Sequence, residues 1–75
     1  MNYPIFMQNV KVNITVIKIF ENNKKYITGL IDYFEKKEII EMWVINSHNL
    51  KLNQNVTVIF SGRLCNNAFE VELIQ

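Results

Sequence analysis

The 75 residues include one cysteine, one histidine, one proline and two glycines, and each scarcity closes off a class of function. Cys65 has no partner in the chain, so there is no internal disulfide and no multi-cysteine zinc site, which fits a reducing compartment. His48 stands alone, which removes most catalytic triads and histidine-based metal centres, and no cofactor is expected. Gly29 and Gly62 are isolated, so neither belongs to a phosphate-cradling loop. No apolar run approaches the ~20 residues that cross a bilayer. The opening "MNYPIFMQN" lacks the cationic start and apolar block of a signal peptide, so a cytoplasmic protein is expected. Charge of one sign is lacking too. A net charge of +1 gives none of the large basic excess common among strong phosphate binders.

What the chain does have is alternation. Almost half its residues are apolar, enough for a folded core, and its length allows one domain. Val10, Val12, Ile14 and Val16 share a parity, with Lys11, Asn13 and Thr15 between them, which reads as a half-buried strand. The pattern then slips at Ile17 and Ile19, as it would if the strand bent at a bulge near Val16–Ile17 and served two sheet surfaces. "ENNKK" reads as a loop, "KKYITGLIDYF" as a second strand and "EIIEMWVIN" as a third. A helix competes over residues 33–45 because Glu and Lys favour helices, but the aromatic and β-branched residues there favour strands. Val56, Val58, Phe60 and Leu64 alternate along a fourth strand, with Gly62 marking a bulge or sharp bend. Asn66–Asn67 can take the positive-φ positions of a tight turn before a fifth strand with Phe69, Val71 and Leu73 inside. Strands this short leave costly open edges, so closure is expected. The prediction is an all-β, five-stranded, OB-fold-like antiparallel barrel over residues 10–75, preceded by an N-terminal arm over 1–9. An SH3-like barrel is the alternative. The expected core comprises Val12, Ile14, Ile31, Met42, Val58, Phe60, Val71 and Leu73.

The second and third strands carry the functional signal because both of their faces are apolar. With Lys36 and Lys37 as the turn, Tyr33 faces Ile40, Ile31 faces Met42 and Gly29 faces Val44 across the interior. The outer face then pairs Phe34 with Ile39, Leu30 with Trp43 and Thr28 with Ile45, and Tyr26 lies at its open end. The same register sets Asp32 against Glu41, an unfavourable like-charge pair. In an OB-fold, single-stranded nucleic acid lies on this outer face, and its bases stack on aromatics. Tyr26, Phe34 and Trp43 are therefore candidate stacking residues. Lys24, Lys25, Lys36, Lys37 and Arg63 are candidate phosphate contacts.

Several segments resemble the small OB-fold single-stranded DNA-binding proteins of filamentous phages. "VKVNITV" is similar to that family's opening strand, and "KKYI" to its basic residue-x-tyrosine entry into strand 2. "LKLNQNVTVIF" is similar to its polar turn and fourth strand, and "AFEVELI" to its closing strand. The resemblance covers most of the chain after residue 9, in order of elements more than in identities. It implies a cytoplasmic homodimer of phage or other mobile-element origin that coats single-stranded DNA without sequence preference, with Tyr26 stacking on a base. The chain departs from the family in its short, acidic hairpin and its scarcity of arginine.

The expected function is thus non-enzymatic binding of single-stranded nucleic acid, DNA ahead of RNA, by a homodimer that does not engage membranes. A protein-interaction module or inhibitor using the same apolar strip is the alternative. Small domains often need to cover such a strip with a second copy. A hydrolase built on Asp32 and Glu41 is a third reading, resting only on the closeness that the register gives the two acids.

Overall fold

The computed structural model describes residues 9–33, 36–47 and 49–74. Five strands follow in chain order: β1 (Lys11–Ile19), β2 (Tyr26–Tyr33), β3 (Lys36–Val44), β4 (Asn55–Cys65) and β5 (Ala68–Ile74). They close into one barrel in the order β1-β2-β3-β5-β4. The all-β, five-stranded, OB-like barrel expected from the alternation is therefore present, and residues 33 and 36–44 are strand rather than helix. One pair departs from antiparallel closure, because β3 and β5 run parallel.

The parity slip in β1 has the expected cause. From Lys11 to Thr15 the strand pairs with β4, from Ile14 to Ile19 it pairs with β2, and the register shifts between Val16 and Lys18. At the bend the backbone of Val16 is satisfied from a turn rather than a strand. Its N–H donates to the Gln54 carbonyl at 2.9 Å, and its carbonyl accepts from the Asn53 N–H at 2.7 Å. An asparagine at positive φ (66°) shapes that turn, in keeping with the residue's tolerance of the left-handed region. A second irregularity lies in β4 between Phe60 and Leu64, around Gly62 at φ 87°. Asn66 and Asn67, at φ 50° and 68°, make the tight turn from Cys65 to Ala68.

Seven of the eight expected core residues are buried. Leu73 is the exception, packing against the core while only partly covered. Val16, Ile27, Val44, Leu50 and Phe69 join the core cluster. Leu50 enters it from the β3–β4 connection, so this loop contributes to the core without forming a helix among its described residues. Leu64 is a correction: it lies beyond the Gly62 bulge, and the lost alternation leaves it 56% exposed.

The β2–β3 register is also corrected. Tyr26 pairs with Trp43, Ile27 with Met42, Gly29 with Ile40, Leu30 with Ile39, Ile31 with Glu38, Asp32 with Lys37 and Tyr33 with Lys36. Lys36 and Lys37 are thus the first residues of β3 rather than the turn. The strands slide by an even number of residues, so every residue keeps its expected face while every partner changes. In this register Asp32 stands opposite Lys37, and Glu41 opposite Thr28.

The β3–β5 seam is short. Only Met42, Val44 and the intervening Trp43 are registered against β5, opposite Phe69, Val71 and Glu70. Beyond them Ile45 N–H donates to the Val71 carbonyl at 3.0 Å. Asn46 then closes the seam with its side chain: its Oδ1 accepts from Leu73 N–H at 2.7 Å, and its Nδ2 donates to the Leu73 carbonyl at 3.0 Å.

Candidate nucleic-acid interface

The loop that ends β1 and begins β2, residues 20–25, is tied at both ends by backbone. Phe20 N–H donates to the Tyr26 carbonyl at 3.1 Å, and Tyr26 N–H donates to the Asn23 carbonyl at 2.9 Å. Asn23 Oδ1 also accepts from Lys25 N–H at 3.1 Å, a short-range side-chain turn typical of asparagine. Lys25 is pinned to β3, since its carbonyl accepts from Val44 N–H at 2.8 Å. These bonds hold Phe20 and Lys25 to either side of Tyr26, at the start of the outer β2–β3 face.

Three aromatics meet there. The Tyr26 and Trp43 rings are 4.4 Å apart and inclined at 61°, while Phe20 and Tyr26 are 6.3 Å apart at 65°. Both contacts are edge-on, the geometry favoured by ring quadrupoles. Two lysines border the group. Lys18 Nζ lies 4.8 Å from the Phe20 ring centroid, and Lys25 Nζ lies 5.9 Å from that of Trp43 while donating to the Ile45 carbonyl at 3.3 Å. From the far side of the barrel, the β4–β5 turn closes on the same spot. Asn66 Nδ2 donates to the Tyr26 hydroxyl at 2.6 Å, and Cys65 Sγ lies 3.8 Å from that oxygen. Phe20, Tyr26, Glu41, Asn66 and Ala68 together line a recess of about 290 Å³.

Of the residues singled out in the sequence, Lys25, Tyr26 and Trp43 are brought together, and exposed Lys24 adjoins them in the loop. Trp43 lies opposite Tyr26, not opposite Leu30 as expected. Exposed Lys37 is six residue pairs along the hairpin from Trp43, about 20 Å at the strand rise, so it does not belong to this cluster. Lys36 shares that far end through its pairing with Tyr33. Arg63 is exposed in the β4 irregularity, its N–H donating to Ser61 Oγ at 3.3 Å. Phe34 lies outside the described residues.

Sequence reasoning missed Phe20, Lys18 and Asn66. Phe20 carried one signal, since it is the aromatic that ends β1 just before a polar loop. Asn66 carried none, because its role depends on barrel closure across 40 positions of sequence. The acid pair behind the hydrolase reading does not form. With Glu41 opposite Thr28 and Asp32 opposite Lys37, the two acids are four registered positions apart, roughly 13 Å along the strands. Among the described residues, no helix is long and apolar enough to cross a membrane. Comparison of the chain with protein-family models, curated proteins and solved structures finds no match.

Proposed function

We propose that this protein binds single-stranded nucleic acid, DNA ahead of RNA, without catalysing a reaction, in a cytoplasmic setting. One observation carries the reading: Phe20, Tyr26 and Trp43 gather on one outer patch, beside Lys18 and Lys25 and between the β1–β2 and β4–β5 loops. In OB-type barrels the strand 2–3 face and those same two loops are the ligand surface. Aromatic side chains accept bases of any sequence, and neighbouring cations accept phosphates. Lys24 and Lys25 are the proposed phosphate contacts. Lys36, Lys37 and Arg63 would meet only a longer strand.

The experiment is a titration of Trp43 emission, which has no competing tryptophan, with an oligothymidine at low salt. Quenching by the single strand, with much weaker response to a duplex of equal length, is the expected result. Unmoved emission in a folded protein would put the protein-interaction reading in front. A separate observation favours that reading: Ile39 is 67% exposed beside half-buried Leu30, on a part of the outer face away from the aromatic patch. A second copy of the chain is the proposed cover for this strip, and sedimentation at micromolar concentration should show the dimer mass.

A further inference from the structure

The recess between Phe20, Tyr26, Glu41, Asn66 and Ala68 has a composition that phosphate binding does not explain. An exposed carboxylate borders it on β3, where it would repel a phosphate. We infer that the recess receives one nucleobase of the bound strand, and that Glu41 makes guanine the favoured base there. The inference rests on the nucleic-acid-binding reading and adds a base preference to it.

The chemistry of the base edges makes the choice. A carboxylate only accepts hydrogen bonds, and its two oxygens suit a pair of parallel N–H donors. Guanine alone offers two such neighbours, N1–H and the N2 amino group. Thymine presents a single N3–H between two carbonyl oxygens, both of which repel the carboxylate. In cytosine and adenine one amino group stands beside a ring nitrogen that is an acceptor. Glu41 therefore gains two charge-assisted bonds with guanine and meets at least one acceptor with each of the others.

The remaining wall fits the same ligand. The rings of Phe20 and Tyr26 supply apolar surface, and Ala68 is a small buried residue beneath. Asn66 spends one amide hydrogen on the Tyr26 hydroxyl, which leaves a second donor for a carbonyl such as guanine O6. Glu41 itself lies opposite Thr28 on the outer face, two positions along β2 from Tyr26.

The test compares ten-nucleotide strands by Trp43 emission: oligothymidine, and the same strand with one central guanine, adenine or hypoxanthine. Guanine should tighten binding about tenfold over thymine, the scale of one good bidentate base contact. Hypoxanthine, which lacks the N2 amino group, should lose most of that gain, and adenine should control for purine stacking. Glu41→Gln should abolish the guanine preference and tighten oligothymidine binding, because the charge that repels the thymine carbonyl oxygens is gone. Equal affinity for the guanine and thymine strands would overturn the inference while the binding reading stands. A guanine preference that survives Glu41→Gln, or is matched by adenine, would assign the effect to stacking and overturn the role of Glu41. Binding to none of the strands would remove both. The modified bases leave the protein unaltered, so the result does not depend on the variant folding.

Discussion

Gly29→Ala should destabilise the barrel, even though alanine suits a strand better than glycine does. Gly29 lies on the interior face of β2, opposite Ile40 and diagonal to Met42. A methyl group built there would lie 2.8 Å from Met42 Cε, 3.1 Å from Ile14 Cδ1 and 3.3 Å from Met42 Sδ. Carbon contacts are most favourable at about 3.5–4.0 Å, so the nearest approach is too close by more than half an ångström. Overpacking of this kind costs about 1–3 kcal/mol. The crowded atoms end flexible side chains, which favours the lower half of that range. Against it stands the entropy lost from the unfolded chain, worth about 0.4–1 kcal/mol in favour of alanine. The net expectation is a loss of about 1 kcal/mol, or a fall of roughly 4–8 °C in Tm for a domain of this size. Urea and thermal unfolding followed by circular dichroism measure it. A double-mutant cycle with Met42→Leu identifies the cause. Leucine removes the thioether end that the new methyl would strike, so its cost should shrink or reverse on the Gly29→Ala background, with a coupling of about 0.5 kcal/mol or more. Strict additivity, or a stabilised Gly29→Ala, would refute the steric reasoning.

Tyr26→Phe keeps both ring contacts but leaves Asn66 Nδ2 without its acceptor, so stability should fall by about 0.5–1.5 kcal/mol with strand affinity nearly unchanged. Tyr26→Ala should weaken binding by about 1–3 kcal/mol through the lost stack, with little effect on salt dependence. Replacing Lys24 and Lys25 by Ala should flatten the slope of log affinity against log salt by about 0.7 per lost phosphate contact. Lys37→Ala should leave that slope unchanged for a short strand, which isothermal titration across a salt series will show. Gly62→Ala forces a side chain onto a backbone at φ 87° and should cost about 1–2 kcal/mol in chemical denaturation.

Local chemistry made most of the fold legible. The slip after Val16, the glycine at 62 and the Asn66–Asn67 pair each fall where the backbone bends, bulges or turns. The hairpin register was not legible, for a definite reason. Alternation with period two specifies which face a residue takes, and a slide by an even number of residues preserves it. Two lysines look better suited to an exposed turn than to a strand start, yet β3 begins with them. The like-charge pairing of Asp32 and Glu41 was the one internal sign that the lysine-turn register was strained. The candidate site was half legible. Tyr26 and Trp43 lie on the strands that the pattern identified. Phe20 and Asn66 reach them only because the barrel closes, which no periodicity encodes.

The short β3–β5 seam lies between the meander of the first three strands and the β4–β5 hairpin. They are joined by the β1–β4 ladder on one side and by three registered pairs with the Asn46 clasp on the other. Partial opening should therefore begin at the seam, and the amide of Ile45, which donates across it to the Val71 carbonyl, should exchange with solvent ahead of those in the β2–β3 ladder. The recess straddles this line, with Glu41 on one lip and Asn66 and Ala68 on the other. Any occupant that grips both lips holds the barrel shut, so affinity and seam protection are two readings of a single equilibrium. An occupant at free concentration [L] should then slow exchange at Ile45 by a factor of 1 + [L]/Kd, so at equal concentration the tighter ligand protects the seam more.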